Sequence, residues 1–163
     1  MSANLPAKKS RLDDFTVNAH EDFVTMTIAE QLFGIPVLQV QDVLGHQRIT
    51  RIPLAPPEVA GSLNLRGRIV TAIDVRLRLG LPARSADKPG MSIVVDHRGE
   101  LYSLMVDNVG EVLSLSSEDY ESNPATLDIR WRDLSNGIYR LNNTLLVVLD
   151  VARLLNFANL EAA

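Results

Sequence analysis

Gly61–Gly80, GSLNLRGRIVTAIDVRLRLG, reads as a strand, a tight turn, a second strand and a short helix. Leu63 and Leu65 alternate with polar neighbours, and Gly67 suits the positive φ that a two-residue hairpin turn demands. From Ile69 to Ile73 the chain is apolar and partly β-branched, the pattern of a buried strand. Asp74 then stands where a helix N-cap belongs, its carboxylate placed to accept from the free amides of Val75 to Leu79. Gly80 suits a left-handed C-terminal cap, and Pro82 prevents continuation. Arg66 is left at the tip of the turn. It is either a solvated charge or a planar donor presented to a carboxylate or backbone carbonyl of another chain.

The same scaffold recurs from Gly137, as GIYRLNNTLLVVLDVARLL, at a constant offset of 76 residues (137 − 61). Gly61 matches Gly137, Leu65 matches Leu141 and Asp74 matches Asp150. Asn143 replaces Gly67, which predicts the same left-handed turn, whereas Arg66 becomes Asn142. A second correspondence, at an offset of 69 (101 − 32), lays LYSLMVDNVGEVL over LFGIPVLQVQDVL. Val109 then pairs with Val40, and Glu111 with Asp42. Two related halves of short strands with frequent turns favour small barrels. Each half of about 60 residues is marginal alone, so the halves are expected to share apolar contacts, with a groove at their seam.

This organisation predicts a flexible tail over 1–22, a first β-barrel lobe over 23–82, a linker over 83–90, a second lobe over 91–157 and a C-terminal tail over 158–163. Pro36, which cannot donate to a ladder, marks an edge strand or a bend. His97-Arg98-Gly99 reads as a hairpin turn, and Ser116–Asn136 as an irregular stretch holding the lone tryptophan, Trp131. The 163 residues carry a formal net charge of −4, which argues against nucleic acid as a ligand. There is no cysteine, and no apolar run approaches the ~20 residues of a membrane helix. The basic cluster Lys8, Lys9 and Arg11 has no apolar segment after it, so it is no signal peptide, and a cytoplasmic location is expected.

Catalytic chemistry finds little footing. His20, His46 and His97 are scattered without metal-ligand spacing, and no nucleophile elbow or phosphate-binding glycine loop occurs. Asp13–Asp14 and Glu118–Asp119 lie in polar segments, and Asp96 and Asp107 at strand ends carry no assigned role. No cofactor or metal is expected. The alternative is a small-molecule-binding module or enzyme using the groove between the lobes.

GSLNLRGRIVTAIDVRLRLGL resembles the signature stretch of the CheW family, the chemotaxis coupling proteins. FGIPVLQVQDVL, ITRIP and LMVDNVGEVLSL are similar to three further family segments in the same order. Asp42 stands where the family usually has glutamate, Pro36 interrupts an early strand, and Asn108 replaces a frequent glycine. The resemblance implies a mainly β fold of two SH3-like five-stranded β-barrel lobes packed around a shared core, without catalysis. It further implies a cytoplasmic adaptor at receptor arrays, with no direct membrane insertion. Its partners would be a chemoreceptor cytoplasmic tip and the regulatory domain of a histidine kinase. Carried over by position, Val40, Asp42, Gly61, Asn64 and Arg66 form the implied receptor-binding set; no kinase-contact residues follow. Arg66 is expected to pair with Asp42, and the short aspartate predicts a stretched or water-bridged contact.

Overall fold

The computed structural model describes residues 19–85 and 87–156. Among the described residues the fold is mainly β: two sheets, with three helices of four or five residues. The strands are β1 (His20–Ile28), β2 (Gln31–Pro36), β3 (Val40–Leu44), β4 (Val59–Leu65) and β5 (Arg68–Asp74), then β6 (Met91–His97), β7 (Glu100–Val106) and β8 (Asn108–Ser116). The two-residue β9 (Tyr120–Glu121), β10 (Ser135–Arg140) and β11 (Leu145–Leu149) complete them. Helix α1 is Val75–Arg78, α2 is Ile129–Arg132 and α3 is Val151–Leu155. One sheet has the order β8-β1-β2-β11-β10-β9 and the other β3-β6-β7-β5-β4.

The repeated scaffold forms as the sequence reads. Asp74 accepts from the Leu77 amide at 3.2 Å, and Asp150 from the Arg153 amide at 3.1 Å. Both copies carry the same β-bulge, between Val59 and Gly61 and between Ser135 and Gly137. Gly80, with φ of 79°, ends α1: its amide donates to the Leu77 carbonyl and that of Leu81 to the Arg76 carbonyl. Pro36 marks a bend rather than an edge. It ends β2, a central strand, and the chain leaves through a 3-10 turn at Val37–Gln39.

The sheets do not follow the division into 23–82 and 91–157. Strands β1 and β2 pair with β8 and β11, while β3, β4 and β5 share a sheet with β6 and β7. Each half thus lends two strands to the other half's barrel. The reason is local. No hairpin loop joins β2 to β3, only Val37–Gln39, and only Asp107 separates β7 from β8, so both chains run on into the opposite sheet. A cut near Pro82 would strip β1, β2, β3 and β5 of their partners across the halves. The expected tail also ends earlier, since β1 starts at His20. Its residues 1–18 and the expected C-terminal tail lie outside the described residues, as does Phe157, the last residue of the expected second lobe.

Central strands bury both faces. Along β7, Tyr102, Leu104 and Val106 enter the large cluster that draws on both sheets, whereas Leu101 packs within its own lobe with Leu63 and Val70. In the other sheet Phe33 and Ile35 enter the shared cluster, and Leu32 packs with Phe23 and Leu146. Strands buried on both sides read as continuous apolar runs, which explains LLVVL over β11. Trp131 joins this frame from the irregular stretch: its ring meets Phe33 edge-on at 5.4 Å, and its Nε1 donates to the Leu79 carbonyl at 3.2 Å.

Asp107, given no role from sequence, fastens the crossover. Its carboxylate accepts two hydrogen bonds from Arg76 at 2.8 Å each, one from the Ala29 amide at 2.8 Å and one from Arg84 at 3.4 Å. One side chain thereby ties together α1, the β1–β2 turn and the linker. Chiefly the Arg76 hydrogen bonds hold its carboxyl down at about 2, against the opposing effect of burial. A depressed carboxyl contributes stability in full above its unfolded value of 3.8, and loses it as pH falls through about 2. The contribution is on the order of 2 kcal/mol. Asp107→Asn is therefore expected to be clearly less stable than the parent chain at pH 6, with the gap shrinking towards pH 2. Urea unfolding across that range checks this, and a gap independent of pH would contradict it.

Candidate functional site: an arginine held at a hairpin tip

Leu65 and Arg68 are the last ladder pair of the β4–β5 hairpin, leaving Arg66 and Gly67 as a two-residue loop. Both have positive φ, 53° and 87°, the pattern of a type I′ turn, which matches the twist of the flanking strands. Glycine takes this conformation freely, but an arginine there costs roughly 1 kcal/mol. The Asn64 side chain helps to hold the turn, its Oδ1 accepting from the Gly67 amide at 2.9 Å. Arg66 is thus fixed at its backbone while its side chain remains 78% exposed.

The guanidinium is also fixed at its far end. Arg66 Nη2 donates to Asp42 Oδ2 at 3.0 Å, a direct contact rather than the stretched or water-bridged one expected from the short aspartate. The other oxygen, Oδ1, accepts from the Val43 amide at 2.8 Å, so the carboxylate is oriented by its own strand. The pair joins β3 to the β4–β5 tip, two elements at opposite edges of their sheet. Inside the same lobe, Leu44 and Leu65 pack on one cluster, which brings those edges close enough for an aspartate to reach.

Of the expected set, the structure brings Asp42, Asn64 and Arg66 together. Val40 lies on the same edge strand, half-buried against the shared core. Gly61 is buried and presents no surface. A Cβ there would stand 2.2 Å from the Thr50 carbonyl oxygen, and Thr50 and Ser62 exchange two backbone hydrogen bonds of 2.8 Å. Gly61 therefore shapes the site by letting the loop before β4 lie against the strand.

Two readings need correction. Ile69, read as part of a buried run, is 71% exposed beside Asn64, its partner across the ladder. Burial in β5 begins only at Val70, because the hairpin tip projects past the lobe's core. Asn142 and Asn143 do not reproduce the left-handed turn either, since neither takes positive φ. The second hairpin closes instead through Leu141 N donating to Thr144 O at 2.9 Å. The exposed apolar residues Ile69 and Val43 escaped the sequence reading; a strand running apolar up to a displayed arginine was the available signal.

A family model described as CheW-like domain matches residues 22–159. The chemotaxis protein CheW of Klebsiella aerogenes is 31% identical over 150 residues, covering 92% of this chain and 89% of that protein. The chemotaxis protein CheW of Helicobacter pylori is 29% identical over 133 residues, covering 82% and 80% respectively. Among solved structures, the scaffolding protein TtCheW from Thermoanaerobacter tengcongensis superposes with a TM-score of 0.76 at 28% identity. That match covers 85% of this chain and 94% of the other.

The turn geometry has a measurable consequence. Arg66→Gly is expected to leave the chain as stable or more stable by up to about 1 kcal/mol, because glycine relieves the left-handed backbone. Gly61→Ala is expected to destabilise it by at least ~1 kcal/mol through the clash with Thr50. Thermal unfolding of both variants checks the pair of signs. A destabilised Arg66→Gly would mean that the turn is not under strain.

Proposed function

The chain belongs to the CheW-like family and is a chemotaxis coupling adaptor; on that premise we propose that it bridges a chemoreceptor's cytoplasmic tip to a histidine kinase. It acts from the cytoplasm, without catalysis and without cofactor, by holding two partners in a fixed relation within a receptor array. The observation that carries the receptor half of this reading is the Arg66–Asp42 pair, exposed yet fixed at both ends.

The proposed receptor face consists of Val40, Asp42, Asn64 and Arg66, with Gly61 setting its shape and the exposed Val43 and Ile69 supplying apolar surface beside the charges. A guanidinium already oriented loses less freedom on binding than a mobile one. Its five donors leave capacity for a partner's carboxylate or carbonyl after one bond to Asp42. The pair itself adds only about 0–1 kcal/mol to folding, as exposed ion pairs do.

Arg66→Ala is accordingly expected to leave the melting temperature nearly unchanged, since alanine and arginine meet the same backbone cost at this φ. Receptor binding should weaken severalfold while kinase affinity stays largely intact. Asp42→Ala should have a milder effect of the same kind, and the double variant should be less than additive. Calorimetry with receptor signalling fragments across this cycle measures it. Unchanged binding in Arg66→Ala, or fully additive losses, would return Arg66 to a solvated charge at a turn.

A further inference from the structure

The two crossovers between the lobes are related by the offset of 69 residues, and they carry opposite chemistry. Asp107, between β7 and β8, binds Arg76, Arg84 and the Ala29 amide. Its counterpart between β2 and β3 is Leu38 (107 − 69), which is 92% exposed. The 3-10 turn that carries Leu38 buries none of its three residues, although Val37 packs in part against the shared core. An apolar side chain thus stands in water where the other half places a fastener. Packing among the described residues does not account for it.

Leu38 borders a groove of about 250 Å³ lined by His20, Glu21, Asp22, Pro36, Val37 and Leu38. The start of β1 and the end of β2 form its sides, with Phe23 opposite Pro36 in the ladder. Pro36, Val37 and Leu38 supply an apolar wall, and the exposed Glu21 and Asp22 a wall of carboxylates. Among the described residues, no lysine or arginine lines it. The ligand that matches is a short segment combining cationic side chains with an apolar one.

The chain carries such a segment. Residues 1–12 hold Lys8, Lys9 and Arg11 and no acid, so they bear three positive charges while the rest of the chain bears −7 by difference (−4 − 3). Leu12 follows directly on Arg11. The segment leads straight to the groove. The Ala19 carbonyl accepts from the Ser117 amide at 2.9 Å, His20 opens β1, and Glu21 and Asp22 come next. Leu12 precedes Ala19 by seven residues (19 − 12), a reach of up to about 25 Å, against the roughly 5 Å between neighbouring strands. So short a tether presents the segment at about millimolar effective concentration, and contacts of modest strength suffice.

We propose that Lys8–Leu12 docks in this groove of its own chain, with the cationic side chains against Glu21 and Asp22 and Leu12 over Leu38. Leu38 stands two positions before Val40, so a seated segment borders the proposed receptor face. It uses none of that face's residues, and the docking stands or falls separately from the receptor reading. As a contact between charges at the surface, it weakens as salt is raised.

The chain has no cysteine, so a single nitroxide label at Ser10→Cys in the full chain reports where the segment sits. The readout is broadening of amide signals in two-dimensional NMR. Expected is broadening at Glu21, Asp22, Val37 and Leu38 at least threefold greater than at Ser117–Tyr120, which adjoin the start of β1 on its other side. The excess should vanish in the triple variant Lys8→Gln, Lys9→Gln, Arg11→Gln, and in Leu38→Ser, which changes a side chain already in water. Equal broadening on both sides of β1, or an excess that survives either variant, would overturn the proposal. A mixture of labelled chain with unlabelled, nitrogen-15-enriched chain isolates contacts between molecules. If the excess appears there, the occupant comes from a second copy and the proposal fails.

Discussion

Strand β7 turns Tyr102, Leu104 and Val106 towards the layer between the sheets and Leu101 towards the interior of its own lobe. The same double burial holds for β2 and β11, and it is the constraint on which the molecule depends. A strand that must be covered on both faces cannot be satisfied within one small barrel. The exchange of strands between halves supplies the second cover: each lobe is built around two strands contributed by the other. Removing either half exposes an apolar layer as well as unpaired strand edges, which water and backbone polarity both disfavour.

Function follows from what this frame leaves at the surface. Core packing fixes the strands, the strands fix their turns, and the turns carry arginines in a conformation that an arginine would not choose. At Arg66 the side chain is then turned back on Asp42 across the closing edge of the barrel. The ion pair adds little to stability, so its value lies in orientation. At the crossover the balance is different. Asp107 and Arg76 are largely buried, and their bonds hold the point where the chain passes between lobes. Similar residue types thus lie exposed at one place and fasten the fold at another, and exposure separates the two.

Much of this was legible in the sequence. The capping aspartates and the glycines of the repeat have local signatures that the fold preserves, and the pairing of Arg66 with Asp42 followed from the family resemblance. The exchange of strands was not legible, because both copies carry the same pattern and nothing in a repeat says which copy a strand will join. The short connections at Val37–Gln39 and Asp107 decided it, and they look like interruptions until the topology is known. Ile69 was misread because apolar character alone does not say where a hairpin outgrows its core. Asp107 was passed over because a single charge at a strand end has no periodicity to reveal its three partners.

The central claim is that the shared layer makes the two lobes one cooperative unit, from which the site inherits its rigidity. Ile73 and Leu149 occupy this layer from different sheets, each at most 1% exposed. Urea unfolding of Ile73→Ala and Leu149→Ala, followed by both Trp131 fluorescence and far-ultraviolet circular dichroism, tests it directly. The account predicts a loss of about 2–5 kcal/mol in each variant, with single transitions that coincide for the two probes. Separate transitions, with one lobe melting while the other stays folded, would contradict it.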